Sequence, residues 1–421
     1  MEYVPKLMNL TRAERRVRSD YRTALTDWHG SGRPPRDLSS YKLEFGTELL
    51  MEHPPTAIVE SATMPADDLL FNAHVERPMR ENRPLQRQAF HVAEMATFGS
   101  FVPVLSSNDV TIRVCNGDFG DAGKWQLPSR HADCHELYFI HRAEHPVSLI
   151  TDFGLLKEVH EGDFMCLPRG TTYSFLLTGR VSILLYEIPK RLCRPYDYWM
   201  GDQQPWPFSP AAPIPPEPTP LAALHPPLSG DEATQVVVKR RLGSFTLLTY
   251  AAPVFDAVAW EGEVWPFILR LDDLVALSSP HVHLDPKKLT VFVSEDEGMA
   301  MQVFLPRWIH SLPYHHLNWV DEALFNHKGY GARPEITDGF MTLHPAGLPH
   351  GPDLRLLANI AREEASHPKD LPFREEIAVM VESRSPFGVS EDAEKVELEG
   401  YDQSWYRQSI ENTVKAPPSD D

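Results

Sequence analysis

At 421 residues the chain can hold one large domain or two of ordinary size. Its net charge of −19 argues against a nucleic-acid partner, because phosphate binding calls for a basic excess. No apolar run is long enough to span a bilayer, the opening MEYVPKLMNLTRAERRVRSDY lacks the apolar core of a secretion signal, and Cys115, Cys134, Cys166 and Cys193 show no CxxC spacing, so reduced thiols in a cytoplasmic protein are expected.

Residues 12–28 (RAERRVRSDYRTALTDW) carry a helical pattern, with Val17, Tyr21 and Leu25 on one face. A surface or subunit-contact helix is the expected element there. From Asp37 to about Ser107 short apolar runs alternate with Pro and charged clusters, and His74 and His91 stand alone. No chemistry is assigned to that region.

From Val110 to Ile188 the pattern becomes β, in short runs such as HELYFIHRA, SLITDFG and RVSILLYEIP broken by Gly, Asp and Pro. Within it, EGDFMCLPRGTTYSF has a G-D turn, an apolar strand and a P-x-G turn. This rhythm resembles the second half of a cupin barrel repeat. Metal-binding cupins commonly place a histidine after the P-x-G turn, where this chain has Tyr173. His131, His135 and Glu136 remain candidate donors, but the reading is a barrel that kept its fold and lost its metal.

Residues 203–230 (QQPWPFSPAAPIPPEPTPLAALHPPLSG) are the strongest compositional break. So much Pro favours an extended polyproline-II course without helix or sheet. It divides the chain into an N-terminal β-rich part (1–202), this linker, and a C-terminal part (231–421). After it, VVVKRRLGSFTLLTYAAP, FDAVAWEGEVWPFILRLDDL and GMAMQVFLPRW resume β patterning. LRLLANIAREE reads as helix, EIAVMVESRSPFGVS as a late strand ending in a turn, and the tail APPSDD as disordered.

The stretch from Pro313 to Asp353 concentrates His315, His316, Asp321, Glu322, His327, His344 and His350. His316, Glu322 and His350 are read as two imidazoles and one carboxylate on a single non-haem Fe(II), a set that leaves adjacent coordination positions open. His316 and Glu322 are six apart, as are His344 and His350. Even spacing on a strand puts both members of a pair on one face. On a helix, six residues leave a pair about 120° apart. Gly and Pro recur too often here for a long helix. Tyr314, Trp319, Phe325 and Tyr330 add aromatic company to the polar set.

With these pieces laid out, the chain resembles the homogentisate 1,2-dioxygenase family of iron-dependent ring-cleaving enzymes. PYHHLNWVDE is similar to the family's Y-H-x5-E segment, and LHPAGLPHGPD to its L-H-x5-H-G-P-D segment. FDAVAWEGEVWPF, VHLDP and FLPRW each resemble a family stretch, and TDFG…GDFMCLPRG resembles its first barrel. The resemblance implies a mainly β fold, a two-part cupin (bicupin, jelly-roll) with peripheral helices. It implies Fe(II) held by His316, Glu322 and His350, a base at His283 (with His281 two residues away as its substitute), and substrate contacts or ligand orientation from Tyr330, His344 and His350. It also implies a small aromatic substrate, O2 as co-substrate, and a homo-oligomer, trimer or hexamer.

The resemblance is best from about residue 236 to 411 and poor before 110. One residue is missing before Tyr330. Where the family has a G-G-G-S run before the second segment, this chain has Asp338, Gly339, Phe340, Met341 and Thr342. Homogentisate or a related hydroquinone is the expected substrate. Another hydroxylated or amino-substituted aromatic, a non-catalytic cupin binding protein, and an oxygen-independent isomerase are the competing readings.

Overall fold

The computed structural model describes residues 49–51, 55–61, 78–81, 85–193, 208–209, 211–217, 219, 224, 234–241, 245–251, 254–255, 257–260, 266–277, 289–308, 315–329, 333, 335–351, 362 and 373–405. Within them the chain is mainly β and builds three large sheets. The first runs Gly154–Val159, Val147–Thr151, Tyr173–Leu177, Ser129–His131, Thr234–Lys239, Phe245–Tyr250 and Ala57–Ser61. The second runs Phe267–Leu269, Phe164–Leu167, His135–Ala143, Arg180–Ile188, Thr111–Asp118, Val102–Ser106, Gly388–Ser390 and Met79–Glu81. The third runs Leu192–Cys193, Thr290–Ser294, Met299–Phe304, Ile377–Ser383, Asp321–Lys328, Phe340–His344 and Gln88–His91. Ser129–His131 lies parallel to Thr234–Lys239, whereas the other neighbours in these sheets are antiparallel.

The second sheet is the middle layer, and its sequences show why. Along His135–Ala143, Leu137 and Phe139 enter one core while Tyr138 and Ile140 enter another. Along Arg180–Ile188, Leu184, Tyr186 and Ile188 join the first set, and Ile183 and Leu185 the second. Side chains alternate across a strand. A strand buried on both faces therefore reads as a continuous apolar run. One core fills the first barrel between the first and second sheets. The other joins the second sheet to the third through Val291, Phe292, Met301, Phe325 and Val379. A phenylalanine such as Phe139, fully buried there, contributes about 3–5 kcal/mol against truncation to Ala.

The G-D and P-x-G turns form as read. Gly162 has φ 89° and Gly170 φ 82°, left-handed values that a Cβ disfavours. The Asp163 carboxylate accepts from the His160 amide at 2.9 Å and closes the first of these turns.

Two features depart from the sequence reading. The described residues of the Pro-rich stretch join sheet edges at single points: Ile214 bridges Ile268, and Glu217 bridges Leu155. Strands from either side of it also share sheets. Thr234–Lys239, Phe267–Leu269 and Gly388–Ser390 complete the first two sheets, while Gln88–His91 and Leu192–Cys193 lie in the third. The helical readings at 12–28 and, apart from Arg362, at 354–364 lie outside the described residues. The described α-helix Glu391–Glu394 is one turn, N-capped by Ser390, whose hydroxyl accepts from the Ala393 amide. No helix of the described residues is long and apolar enough to cross a membrane. Cys115, Cys134 and Cys166 are free and buried, and burial pushes each thiol far above its usual range.

Candidate metal centre

The third sheet turns one face to the shared core and the other to the site. On Asp321–Lys328, Ala323 and Phe325 point into the core, which puts Glu322 on the opposite face by strand alternation. Phe325 is therefore a core residue and no companion of the site. On the neighbouring strand Leu343 points to the core, so His344 shares the face of Glu322, and the two are register partners.

His316 and His350 lie outside both strands, and they meet in an isolated antiparallel bridge. The His316 amide donates to the His350 carbonyl at 2.8 Å, and the His350 amide to the His316 carbonyl at 2.9 Å. One ligand atom each from His316, Glu322 and His350 lies within 4.8 Å of the others. The trio is thus assembled, though not as even spacing on a strand predicts. A bend at residues 319–320 separates His316 from Glu322, and the turn at residues 346–348 separates His344 from His350. Pro345, Gly347 (φ 83°) and Pro349 break the strand and return the chain beside His316.

Around the trio the hydrogen bonds are directional. Nδ1 of His350 donates to the Leu348 carbonyl at 3.1 Å, which leaves the Nε2 lone pair facing Glu322 Oε2 at 3.6 Å. Such a bond fixes the tautomer of a ligating imidazole. The Asn318 amide donates to Glu322 Oε2 at 3.0 Å. Nδ1 of His344 donates to Glu322 Oε1 at 3.1 Å, and its Nε2 accepts from the Tyr401 hydroxyl at 3.1 Å. Arg333 in turn donates to Tyr401. Its guanidinium lies 3.6 Å from the centroid of the Trp405 ring, over which Arg87 also sits. Arg87 reaches the turn before His350, donating to the Pro349 carbonyl at 2.9 Å and to Asp402 at 2.8 Å.

The titration pattern follows. Burial pushes the Glu322 carboxyl up, but His344 and His350 outweigh it and hold it well below the usual range. Burial lowers His344 more than Glu322 raises it. For His350 the carboxylate prevails over burial and the net shift is upward. A buried carboxylate beside the His350 Nε2, with each of its oxygens held by one neighbouring donor and a second imidazole close by, is a donor set that fits a borderline divalent metal. Glu322 and His350 are buried and His316 is exposed, so the trio opens on the His316 side.

The other sequence candidates are distributed. His283 and Tyr330 lie outside the described residues. His315 is exposed and packs edge-on to Trp405. The Asp321 carboxylate accepts from the Ala346 and Phe387 amides, a structural post. Nδ1 of His327 meets Nδ1 of His141 at 3.0 Å in the core between sheets. Trp319 is 93% exposed. In place of the small-residue run, Phe340 stacks on His91 and packs with Ala89, Ile336 and Tyr401, while Met341 enters the core. Sequence reasoning missed Asn318, Tyr401, Arg333 and Arg87. Asn318 sits between His316 and Glu322 and could have been read there.

Residues 275–413, which carry the trio, match the family model described as homogentisate 1,2-dioxygenase C-terminal. Over this segment the chain is similar to the homogentisate 1,2-dioxygenase family. A candidate dioxygenase of Saccharolobus solfataricus is 29% identical over 306 residues, 68% of this chain and 72% of that protein. Two relatives named homogentisate 1,2-dioxygenase are similar at lower coverage. That of Rhizobium leguminosarum bv. trifolii is 28% identical over 59% of this chain and 56% of its own length. That of Dictyostelium discoideum is 26% identical over 58% and 57%. The chain thus spans little more than half the length of these named family members. Among solved structures, a cupin 2 conserved barrel domain protein from Leptotrichia buccalis covers 74% of the chain at 9% identity and a TM-score of 0.33.

Proposed function

We propose that the chain is an Fe(II)-dependent extradiol-type dioxygenase that opens the ring of homogentisate or a related hydroquinone-type aromatic with O2. The observation that carries this is the convergence of His316, Glu322 and His350 within 4.8 Å, on segments inside the family match. Fe(II) bound there would lower the pKa of a phenolic oxygen and bring ring and dioxygen together at neighbouring open positions.

The chain's own residues do the rest. Glu322 supplies one negative charge, and Asn318 and His344 hold its two oxygens in place. The two backbone hydrogen bonds between His316 and His350 fix the separation of the imidazoles. His283, carried by resemblance, would take the phenolic proton, a role suited to a histidine titrating near working pH. Tyr330, His344 and His350 are the proposed contacts to substrate. The proposed setting is cytoplasmic, in a homo-oligomer. Holding both reactants in one site removes much of the entropy cost of their encounter.

The test is oxygen uptake by Fe(II)-loaded protein with homogentisate, gentisate and hydroquinone. Uptake with at least one, at one iron per chain, is expected. Glu322→Ala should lose iron and uptake together while the circular dichroism spectrum is kept. Full iron retention in that variant would remove Glu322 from the ligand set, and no uptake with any dihydroxy aromatic would favour a binding protein.

A further inference from the structure

The face of the third sheet that carries Glu322 carries a second carboxylate. Glu382, Glu322 and His344 are register partners on three neighbouring strands, so Glu382 and His344 flank Glu322 one strand away on either side. Val379 and Val381, on the strand of Glu382, enter the core, which turns Glu382 to the site face by strand alternation. The next row on that face runs Gln302, Met380, Leu324 and Thr342. Leu324 belongs to an interior strand of the sheet, yet it and Glu382 stay partly exposed, whereas Gln302, Met380 and Thr342 are buried. The two partly exposed residues mark open space beside the trio, with an apolar floor and one acidic wall.

The two flanks of Glu322 differ in sign. On the His344 side stand donors, His344, then Tyr401, then Arg333, whose guanidinium is itself occupied by Tyr401 and the Trp405 ring. On the other side Oε2 of Glu382 accepts from the Gln302 amide at 2.9 Å. The buried Oε1 of Gln302 has no partner among the described residues. Gln302 thus turns its donor to Glu382, and the pair presents acceptors. The Thr342 hydroxyl, at the far end of the second row, is likewise buried without a partner. Buried polar atoms ordinarily have partners, so this face is chemically incomplete without a ligand that brings donors. The ligand atoms that fall within 4.8 Å of one another here are those of His316, Glu322 and His350, without Glu382. Its carboxylate therefore stands outside the metal's own donor set.

We infer that Glu382, held by Gln302, sets the substrate preference of the metal centre: it accepts from a hydroxyl or a cationic amino group on the aromatic ring and disfavours a ring that carries a carboxylate. The inference rests on the proposed ring-opening site and narrows its substrates to hydroquinones with a donor substituent, at the expense of homogentisate with its acetate. Leu324 offers the apolar surface that a ring needs. Like charges brought together in a site closed to water lower affinity by about tenfold or more.

The test measures ring binding to the full-length, Co(II)-loaded protein under nitrogen, by calorimetry and the visible Co(II) spectrum. Three hydroquinones differ in one substituent: acetate (homogentisate), hydrogen and aminomethyl. High ionic strength screens the attraction of the chain's net charge of −19 for any cation. The wild type should bind the aminomethyl ring about tenfold or more tighter than homogentisate, with the unsubstituted ring between them. Glu382→Gln should keep its Co(II) and cut that ratio by about tenfold. Equal or tighter binding of homogentisate by the wild type overturns the inference, as does a ratio that Glu382→Gln leaves unchanged, or no binding of any ring. If Glu382→Gln does not fold, the wild-type order alone decides. Oxygen uptake by the Fe(II) form separates the two readings. Absent uptake with the binding order kept sinks ring opening and leaves the preference, whereas uptake with homogentisate preferred does the reverse.

Discussion

At the scale of single residues, the candidate centre depends on side chains that touch no metal. Arg333, Tyr401 and His344 form a line of donors ending on Glu322. Tyr401→Phe removes the hydroxyl that orients His344 while leaving the ring that packs on Phe340. Loss of such a supporting hydrogen bond weakens metal binding about 10–100-fold. A chelator competition titration should show a drop in that range, with the fold retained. The trio was legible in the sequence because a carboxylate and two imidazoles fall within a short span and within recognisable segments. Tyr401 and Arg87 were not: they approach from distant parts of the chain, and an isolated Tyr or Arg gives no sign of its partner. The even spacing picked out residues that do converge, but through another geometry: Glu322 sits near a strand start, and His316 and His350 meet in a bridge.

At the scale of elements, the contact between the second and third sheets contains a titratable pair. His141 on His135–Ala143 and His327 on Asp321–Lys328 share a hydrogen bond, each at most 4% exposed. Burial, and then the neighbouring positive groups, pull His141 down to about 3 and His327 down to about 4. Around them lie Phe139, Phe325, Arg142, His91, Asp338 and Lys328. The folded pair stays neutral at pH values where the unfolded chain takes up protons near the ordinary value of about 6.5. Its contribution is therefore whole above that value and is lost as pH falls towards the folded pKa values. Between pH 7 and 5 one such histidine costs about 2 kcal/mol. Urea unfolding should show stability falling with acid over this window, and His327→Gln should flatten the slope by about that amount. Strand existence was legible from alternating or continuous apolar runs. Which strands pair was not, because pairing register depends on contacts that lie far apart in sequence.

At the scale of the whole molecule, the two sides of the Pro-rich stretch are laced together. The first sheet needs Thr234–Lys239, and the third needs Gln88–His91. Fragments 1–220 and 221–421 made separately should be insoluble or unfolded, each with unpaired sheet edges. Made together they should associate and regain the circular dichroism of the intact chain. Independently soluble, cooperatively melting fragments would contradict the lacing. The compositional break at residues 203–230 is legible in the sequence. The exchange of strands across it is not, because local pattern says nothing about a strand's eventual neighbour.

The strand Gly388–Ser390 sits between Val102–Ser106 and Met79–Glu81. On the ribosome, those two earlier segments emerge about 280 residues before the strand that joins them. At about 5–20 residues per second, the wait is on the order of tens of seconds. Throughout that interval the nascent chain presents an apolar β edge to the crowded cell interior. Chaperone occupancy during synthesis, and not only the finished fold's stability, should govern how much of this protein a cell can make.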